Sequence, residues 1–238
     1  MANNRILKHY DNVFEVYDTL PFYLKGEYTN FILSFIKPLT VGKTVLDIGC
    51  GTCYFSELLN AKKLICVDPS NKMLFKRPLL KNQEKYVSDG IDFLKNTRSQ
   101  YEIILLKESL HHFSDKNKLT LLKYCYENAN TTVLFFRPHD NQYPWFTKAQ
   151  EIYENESIKT HILINMLEEL NFSFIKKELI VPIQISSKQW QKMLMSRFWS
   201  NLSRISNLEL KNEVDALNLG YEDKIFFEDK MILLIAKS

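Results

Sequence analysis

The sequence has 238 residues, 45% hydrophobic and 25% charged, with 31 Lys and Arg against 28 Asp and Glu. That is ordinary globular composition, long enough for one large domain with a sizeable core, and it excludes a wholly disordered, collagen-like or coiled-coil chain. The net charge of +3 does not indicate a strongly basic nucleic-acid surface, and no apolar run of about 18 residues offers a membrane span.

The polar stretch Met1 to Asp11 lacks the apolar core of a signal peptide, and four cysteines are too few for a disulfide scaffold. A cytoplasmic protein with reduced thiols and no membrane partner is expected. Residues 1–40 read as helical and aromatic, with Tyr10, Phe14, Tyr17, Phe22, Tyr23 and Tyr28. Thr44 to Ile48 is a short, β-branched apolar run of the kind a buried strand needs. Gly49 and Gly51 follow it, then Tyr54 to Leu59 at helical spacing, so the chain reads strand, glycine turn, helix. Lys63 to Asp68 is a second strand, ended by Pro69-Ser70 and followed by a helix from about Met73 to Leu80. A third strand lies near Lys85 to Ser88, a helix over Ile91 to Thr97, and the strongest strand at Tyr101 to Leu106. A helix over Lys116 to Asn128 leads to the strand Thr131 to Phe136, stopped by Arg137-Pro138. Strands alternating with helices imply right-handed βαβ units and a mostly parallel sheet, with ligands at the carboxyl ends of the strands.

Farther on, residues 147–171 read as one long helix, Phe172 to Ile185 as a strand, and residues 187–219 as one or two helices. The chain closes with Lys224 to Phe227, a turn at Glu228-Asp229-Lys230, and Met231 to Ala236. No flexible linker divides it. Residues 1–238 are read as a single domain, with 1–40 as a helical cover and 187–219 as a helical lid.

A glycine turn between strand and helix suits a nucleotide-type ligand, because glycine permits close backbone approach. A dinucleotide site wants a third glycine where Tyr54 stands, which argues against that cofactor. The stretch Val45-Leu46-Asp47-Ile48-Gly49-Cys50-Gly51-Thr52 resembles the first motif of the class I S-adenosylmethionine-dependent methyltransferases. That resemblance implies a Rossmann-like, doubly wound α/β sheet of seven strands with the last antiparallel. It also implies S-adenosylmethionine as cofactor and S-adenosylhomocysteine as product. Asp47 would serve the ammonium of the methionine moiety beside Gly49, Cys50 and Gly51. Asp68, followed by Pro69, would accept the ribose hydroxyls. Asp89, with Gly90, would lie near the adenine amino group. Lys107 and Tyr17 join the cofactor-binding set, Tyr17 through the Tyr-Asp pairs Tyr10-Asp11 and Tyr17-Asp18 that such N-terminal segments carry. Each acid has a plainer reading: Asp47 capping the turn, Asp68 a helix, and Asp89 forming an Asp-Gly turn.

Methyl transfer needs alignment and, for an O–H or N–H acceptor, a proton acceptor. Glu108, His111 and His112 follow the fourth strand and are the candidate catalytic residues; either histidine could instead hold the loop. Arg137 could bind an anionic substrate group or pair with an acid, and Trp145 adds an aromatic wall. Met195, Phe198, Trp199 and Leu202 give one apolar helix face, either core or the roof of an acceptor pocket anchored by Arg197 and Trp199. No metal site is expected, because no Cys or carboxylate has ligand-like spacing to the paired histidines. Cys50-x-x-Cys53 is read as supplying small side chains to the turn rather than redox chemistry. The expected partner is a small-molecule acceptor, methylated at O or N, and no nucleic acid. The rivals are an RNA or protein acceptor, with Lys72, Lys76, Arg77 and Lys81 as its basic face, and a non-catalytic binding protein.

Overall fold

Successive residues of the central strands feed two separate cores, because helices cover both faces of the sheet. Val45, Ile103, Leu105, Val133 and Phe135 bury on one face, and Leu46, Ile48, Ile104, Leu106 and Leu134 on the other. The computed structural model describes residues 4–19, 26–97, 99–217 and 224–238. Phe22 and Tyr23 of the expected cover, the Tyr28 side chain, and Asn218 and Leu219 of the expected lid lie outside the described residues.

The seven strands are β1 Thr44–Ile48, β2 Lys63–Asp68, β3 Gln83–Val87, β4 Tyr101–Lys107, β5 Ala129–Phe136, β6 Ser173–Ser186 and β7 Lys224–Lys237. They form one sheet in the order β3-β2-β1-β4-β5-β7-β6. The first five run parallel, and β7 is antiparallel to both neighbours. The helices among the described residues are α1 Asn4–Val13, α2 Gly26–Thr40, α3 Asn71–Leu74, α4 Gly90–Asn96, α5 Asp115–Asn128, α6 Thr147–Glu156, α7 Thr160–Glu169, α8 Ser187–Met195 and α9 Asn207–Ala216. The order reverses between β1 and β4, so a crevice opens at their carboxyl ends.

The structure differs from the sequence expectations in several places. The helix expected after the glycine turn is only a 3-10 turn, Ser56–Leu58; left-handed Cys53, at φ 64, and Asn60, at φ 52, bound the segment on both sides, and no α-helix can run through either. The helix expected over residues 73–80 stops after α3, because Pro78 disfavours helical geometry at Arg77. The single helix expected over 147–171 is α6 and α7, parted where Ile158 bridges Pro138. It does end at Asn171, whose φ of 61 and the Phe172 N–H to Leu167 O bond of 3.0 Å close a Schellman motif.

The lid is α8, a 3-10 turn at Ser200–Arg204, and α9. A second Schellman motif ends α8: Arg197 takes φ 53 and the Phe198 N–H reaches Met193 O at 3.1 Å. Met195, Phe198, Trp199 and Leu202 are therefore not one helix face, and Met195 is exposed while Leu202 is fully buried. No turn forms at Glu228-Asp229-Lys230 either. β7 pairs with β6 continuously from Lys224↔Ser186 to Lys237↔Ser173. Phe136, the last residue of β5, faces Ile232, so the first part of β7 overshoots the crevice edge by about 25 Å. Trp190 of α8 packs tilted on Phe227 of that ribbon and edge-on to Trp199.

Candidate active site

At the β1–β4 crevice lies a cavity of about 240 Å³. The glycine turn forms its floor. Gly49 and Gly51 both have left-handed φ, 73 and 57, and a Cβ on Gly49 would stand 2.4 Å from Ser109 Cβ. Gly90 is equally constrained, since its Cβ would meet Ile48 Cγ2 at 2.4 Å. These glycines let the turn, the residues after β4 and the start of α4 close on one another.

Asp47 is buried at the end of β1. One oxygen, Oδ2, accepts from the Ser56 hydroxyl, and Oδ1 has no partner. Burial pushes its carboxyl up to about 7 against the pull of the Ser56 hydrogen bond. Asp68 ends β2 and accepts from Gly51 N at 2.9 Å through Oδ2 and from Ser70 N at 2.8 Å through Oδ1. Burial raises it to about 6, partly offset by those two N–H groups. Its oxygens cap the turn and still carry free lone pairs. Asp89 caps α4 through Ile91 N at 2.9 Å. Lys107 lies over the Phe55 ring at 4.8 Å, and burial depresses its pKa. Asp47, Gly49, Cys50, Gly51, Asp68, Pro69, Asp89, Gly90, Lys107 and Tyr17 all line the cavity.

Glu108, His111 and His112 line the same cavity. Glu108 adopts φ 55, a costly conformation for a non-glycine residue. Its Oε2 accepts from Arg137 NH1 at 2.8 Å, while its buried Oε1 has no partner. His112 Nε2 and Tyr10 OH share a 2.8 Å hydrogen bond. His111 packs 3.9 Å from His112, ring to ring, and makes no side-chain hydrogen bond among the described residues. Burial lowers the pKa of both imidazoles, so both are neutral at pH 7.

The four residues expected to contact substrate divide. Trp199 and Arg137 line the cavity, but the Arg137 fork is held by Asp229, with NH2 to Oδ2 at 2.8 Å and Nε to Oδ1 at 2.9 Å, and by Glu108. Trp145 lies below the cavity wall, packed on Tyr143 and Trp199. Arg197 is also off the cavity: the left-handed turn after α8 aims it at Leu202 O and, at 2.9 Å, at Asn207 Oδ1. The site also includes residues the sequence did not suggest, Ser56, Ser109, Tyr153 and Asp229. Asp229 is wholly buried in the strand that was read as a turn; its charged neighbours, Glu228 and Lys230, masked it.

The N-terminal cover is pinned to the floor. Asp18 Oδ1 accepts from Thr52 Oγ1 at 2.7 Å, and Asp11 Oδ1 from Ser70 Oγ at 2.6 Å. The tyrosine of each Tyr-Asp pair lines the cavity, and Tyr17 stacks on Phe198 of the lid.

A family model described as a methyltransferase domain matches residues 46–131. A search of curated proteins finds no match. Among solved structures, a magnesium protoporphyrin IX methyltransferase from Synechocystis, with bound S-adenosylmethionine, superposes with TM-score 0.57 at 13% identity, over 100% of this chain and 99% of that one. A cyclopropane synthase from Mycobacterium tuberculosis gives TM-score 0.60 at 11% identity, over 100% and 99%. A SAM-dependent methyltransferase from Archaeoglobus fulgidus gives 0.53 at 16%, over 88% and 94%. At these identities the likeness is one of fold.

Proposed function

Because the chain carries a class I S-adenosylmethionine-dependent methyltransferase domain, we propose that it methylates an oxygen or nitrogen of a small-molecule acceptor, in a cytoplasmic setting. One observation carries the reading: Asp47 Oδ1 is a buried carboxylate oxygen with no partner, at the cavity floor. An unpaired buried anion is costly, and a ligand ammonium would relieve it. The glycine turn, Asp68 and Asp89 fit the rest of the same cofactor. Asp47 would hold the ammonium, Asp68 the ribose hydroxyls, and Asp89 with Gly90 the adenine edge.

When bound, the cofactor supplies a methyl group already activated on a cationic sulfur. The chain then has to align the acceptor and take its proton. We assign the proton to His111, neutral at pH 7 and not engaged by another side chain. Glu108 Oε1 would orient the acceptor's N–H or O–H, while Arg137 holds the other oxygen. His112 keeps Tyr10 in place. Tyr17, Phe198 and Trp199 form an apolar roof that keeps water from the reacting atoms. A cavity roofed by a pinned cover supports a small acceptor over RNA or protein.

Calorimetric titration with S-adenosylmethionine and S-adenosylhomocysteine is the first test. No binding by folded protein would overturn the reading. Methyl-labelled cofactor incubated with a fractionated cell extract then separates the acceptors. Label in small molecules is expected; label confined to RNA or protein, or no transfer despite tight binding, would favour the rivals.

A further inference from the structure

The tertiary structure brings a third cysteine, Cys66, onto the Cys50-x-x-Cys53 pair of the glycine turn. Cys50 and Cys53 lie on the glycine turn and Cys66 lies in the middle of β2. Their three Sγ atoms all fall within 4.8 Å of one another, and the Cys50 and Cys53 sulfurs are 3.7 Å apart. We propose that Cys50, Cys53 and Cys66 form a three-coordinate thiolate site for a soft, closed-shell cation, Cu(I) in chemical class. This revises the sequence expectation of no metal site, and it does not depend on the methyltransferase reading.

Five features carry it. Three sulfurs at that separation can all reach a central ion with little rearrangement, since metal–thiolate bonds are about 2.3 Å. Thiolate-only sets select soft ions such as Cu(I). Zinc wants a fourth ligand in a structural site, and among the described residues no fourth His, Cys, Asp or Glu joins the group. Gln83 Nε2 donates to Cys66 Sγ at 3.3 Å, the outer-shell hydrogen bond that orients a ligand and eases its negative charge. Lys85, the register partner of Cys66 on β3, adds a cation on the same side.

Access and burial are also consistent. Cys53 and Cys66 are fully buried, which shields the site from water. Cys50 is half-buried and lines the cavity, which gives an ion an entry path. Packing alone explains one buried thiol as a small apolar side chain. It gives no reason for three, from separate positions on the turn and β2, to converge on one point. The fourth cysteine, Cys125, packs in the opposite core and serves as an internal control.

The test is an anaerobic titration of the fully reduced whole chain with Cu(I), against a chromophoric Cu(I) chelator. Wild type and Cys125→Ala should each bind one equivalent. Cys66→Ala and Cys50→Ser should weaken binding at least tenfold, with far-UV circular dichroism checking that each variant is folded. Cys50 is on the turn rather than in the core, so it keeps the test decisive if Cys66→Ala fails to fold. X-ray absorption of the loaded protein should show three sulfur neighbours and no nitrogen or oxygen. Failure of wild type to compete with the chelator, binding that survives Cys66→Ala in a folded protein, or copper with two sulfur neighbours would each overturn the proposal.

Discussion

The Thr52 hydroxyl donates a 2.7 Å hydrogen bond to Asp18, across 34 positions of sequence. It fastens the N-terminal cover to the turn that floors the cavity, one residue after Gly51. With the Ser70–Asp11 bond of 2.6 Å, it makes the cover part of the site rather than an appendage. Asp18→Ala, which removes the Thr52 hydrogen bond and the ion pair with Lys76, is expected to weaken S-adenosylhomocysteine binding about tenfold. The unfolding midpoint should hardly move. Calorimetry on the variant checks this, and unchanged affinity would mean the cover does not stabilise the closed site.

Asp68→Ala removes the acceptor for both Gly51 N and Ser70 N. The cofactor affinity should fall by about 1–3 kcal/mol, the range for stranding buried polar groups. Asp68→Asn keeps an acceptor oxygen and should lose less, which the same titration reads.

His111 and Glu108 should separate kinetically once an acceptor is known. Replacing His111 by Asn should lower kcat about 10²–10⁴-fold, the span for losing a general base, with cofactor affinity unchanged. Glu108→Gln should act mainly on KM for the acceptor. Full turnover by His111→Asn would remove the proton role from that residue.

Asp229 is wholly buried against Arg137, with 0% and 9% side-chain exposure. Asp229→Asn takes one carboxylate charge from the guanidinium, which Glu108 still holds at 2.8 Å. Stripping one partner from such a pair costs about 3–5 kcal/mol, which urea unfolding would show as a lower midpoint at unchanged slope. A loss under about 1 kcal/mol would show the ion pair to be dispensable.

His9 gives a signed pH dependence. Burial, at 4% exposure, holds its pKa down to about 4 from 6.5, and the Arg5 and Arg197 charges push the same way. Above about pH 6.5 it is neutral in both folded and unfolded chains. Between 6.5 and 4 only the unfolded chain takes up the proton, so stability falls as pH falls, by about 3 kcal/mol in total. His9→Gln should lose that much less than wild type between pH 7.5 and 4. Comparing the two cancels the other titrating groups, among them the raised carboxyls of Asp47 and Asp68, which act in the opposite sense.

The sequence by itself determined the parallel half of the sheet and the edge at which the cavity opens. Short β-branched runs alternate with helices there, and the glycine turn must follow β1 because Gly49 and Gly51 hold φ values that other residues avoid. Asp47, Asp68 and Asp89 were legible for the same reason: they stand at strand ends, where local order fixes position. What only the tertiary structure decided depends on long-range partners. Arg197 left the site because a left-handed residue ended α8 early, a matter of φ at one position and not of apolar spacing. Arg137 was claimed by Asp229, 92 positions away, on a strand whose charged middle reads as a turn until its burial is seen. The convergence of Cys66 on Cys50 and Cys53 likewise rests on β1–β2 register, which brings the middle of β2 beneath the turn after β1. Local conformational preference writes elements and turns into the sequence; which charges and thiols meet is settled by the packing of strands distant along the chain.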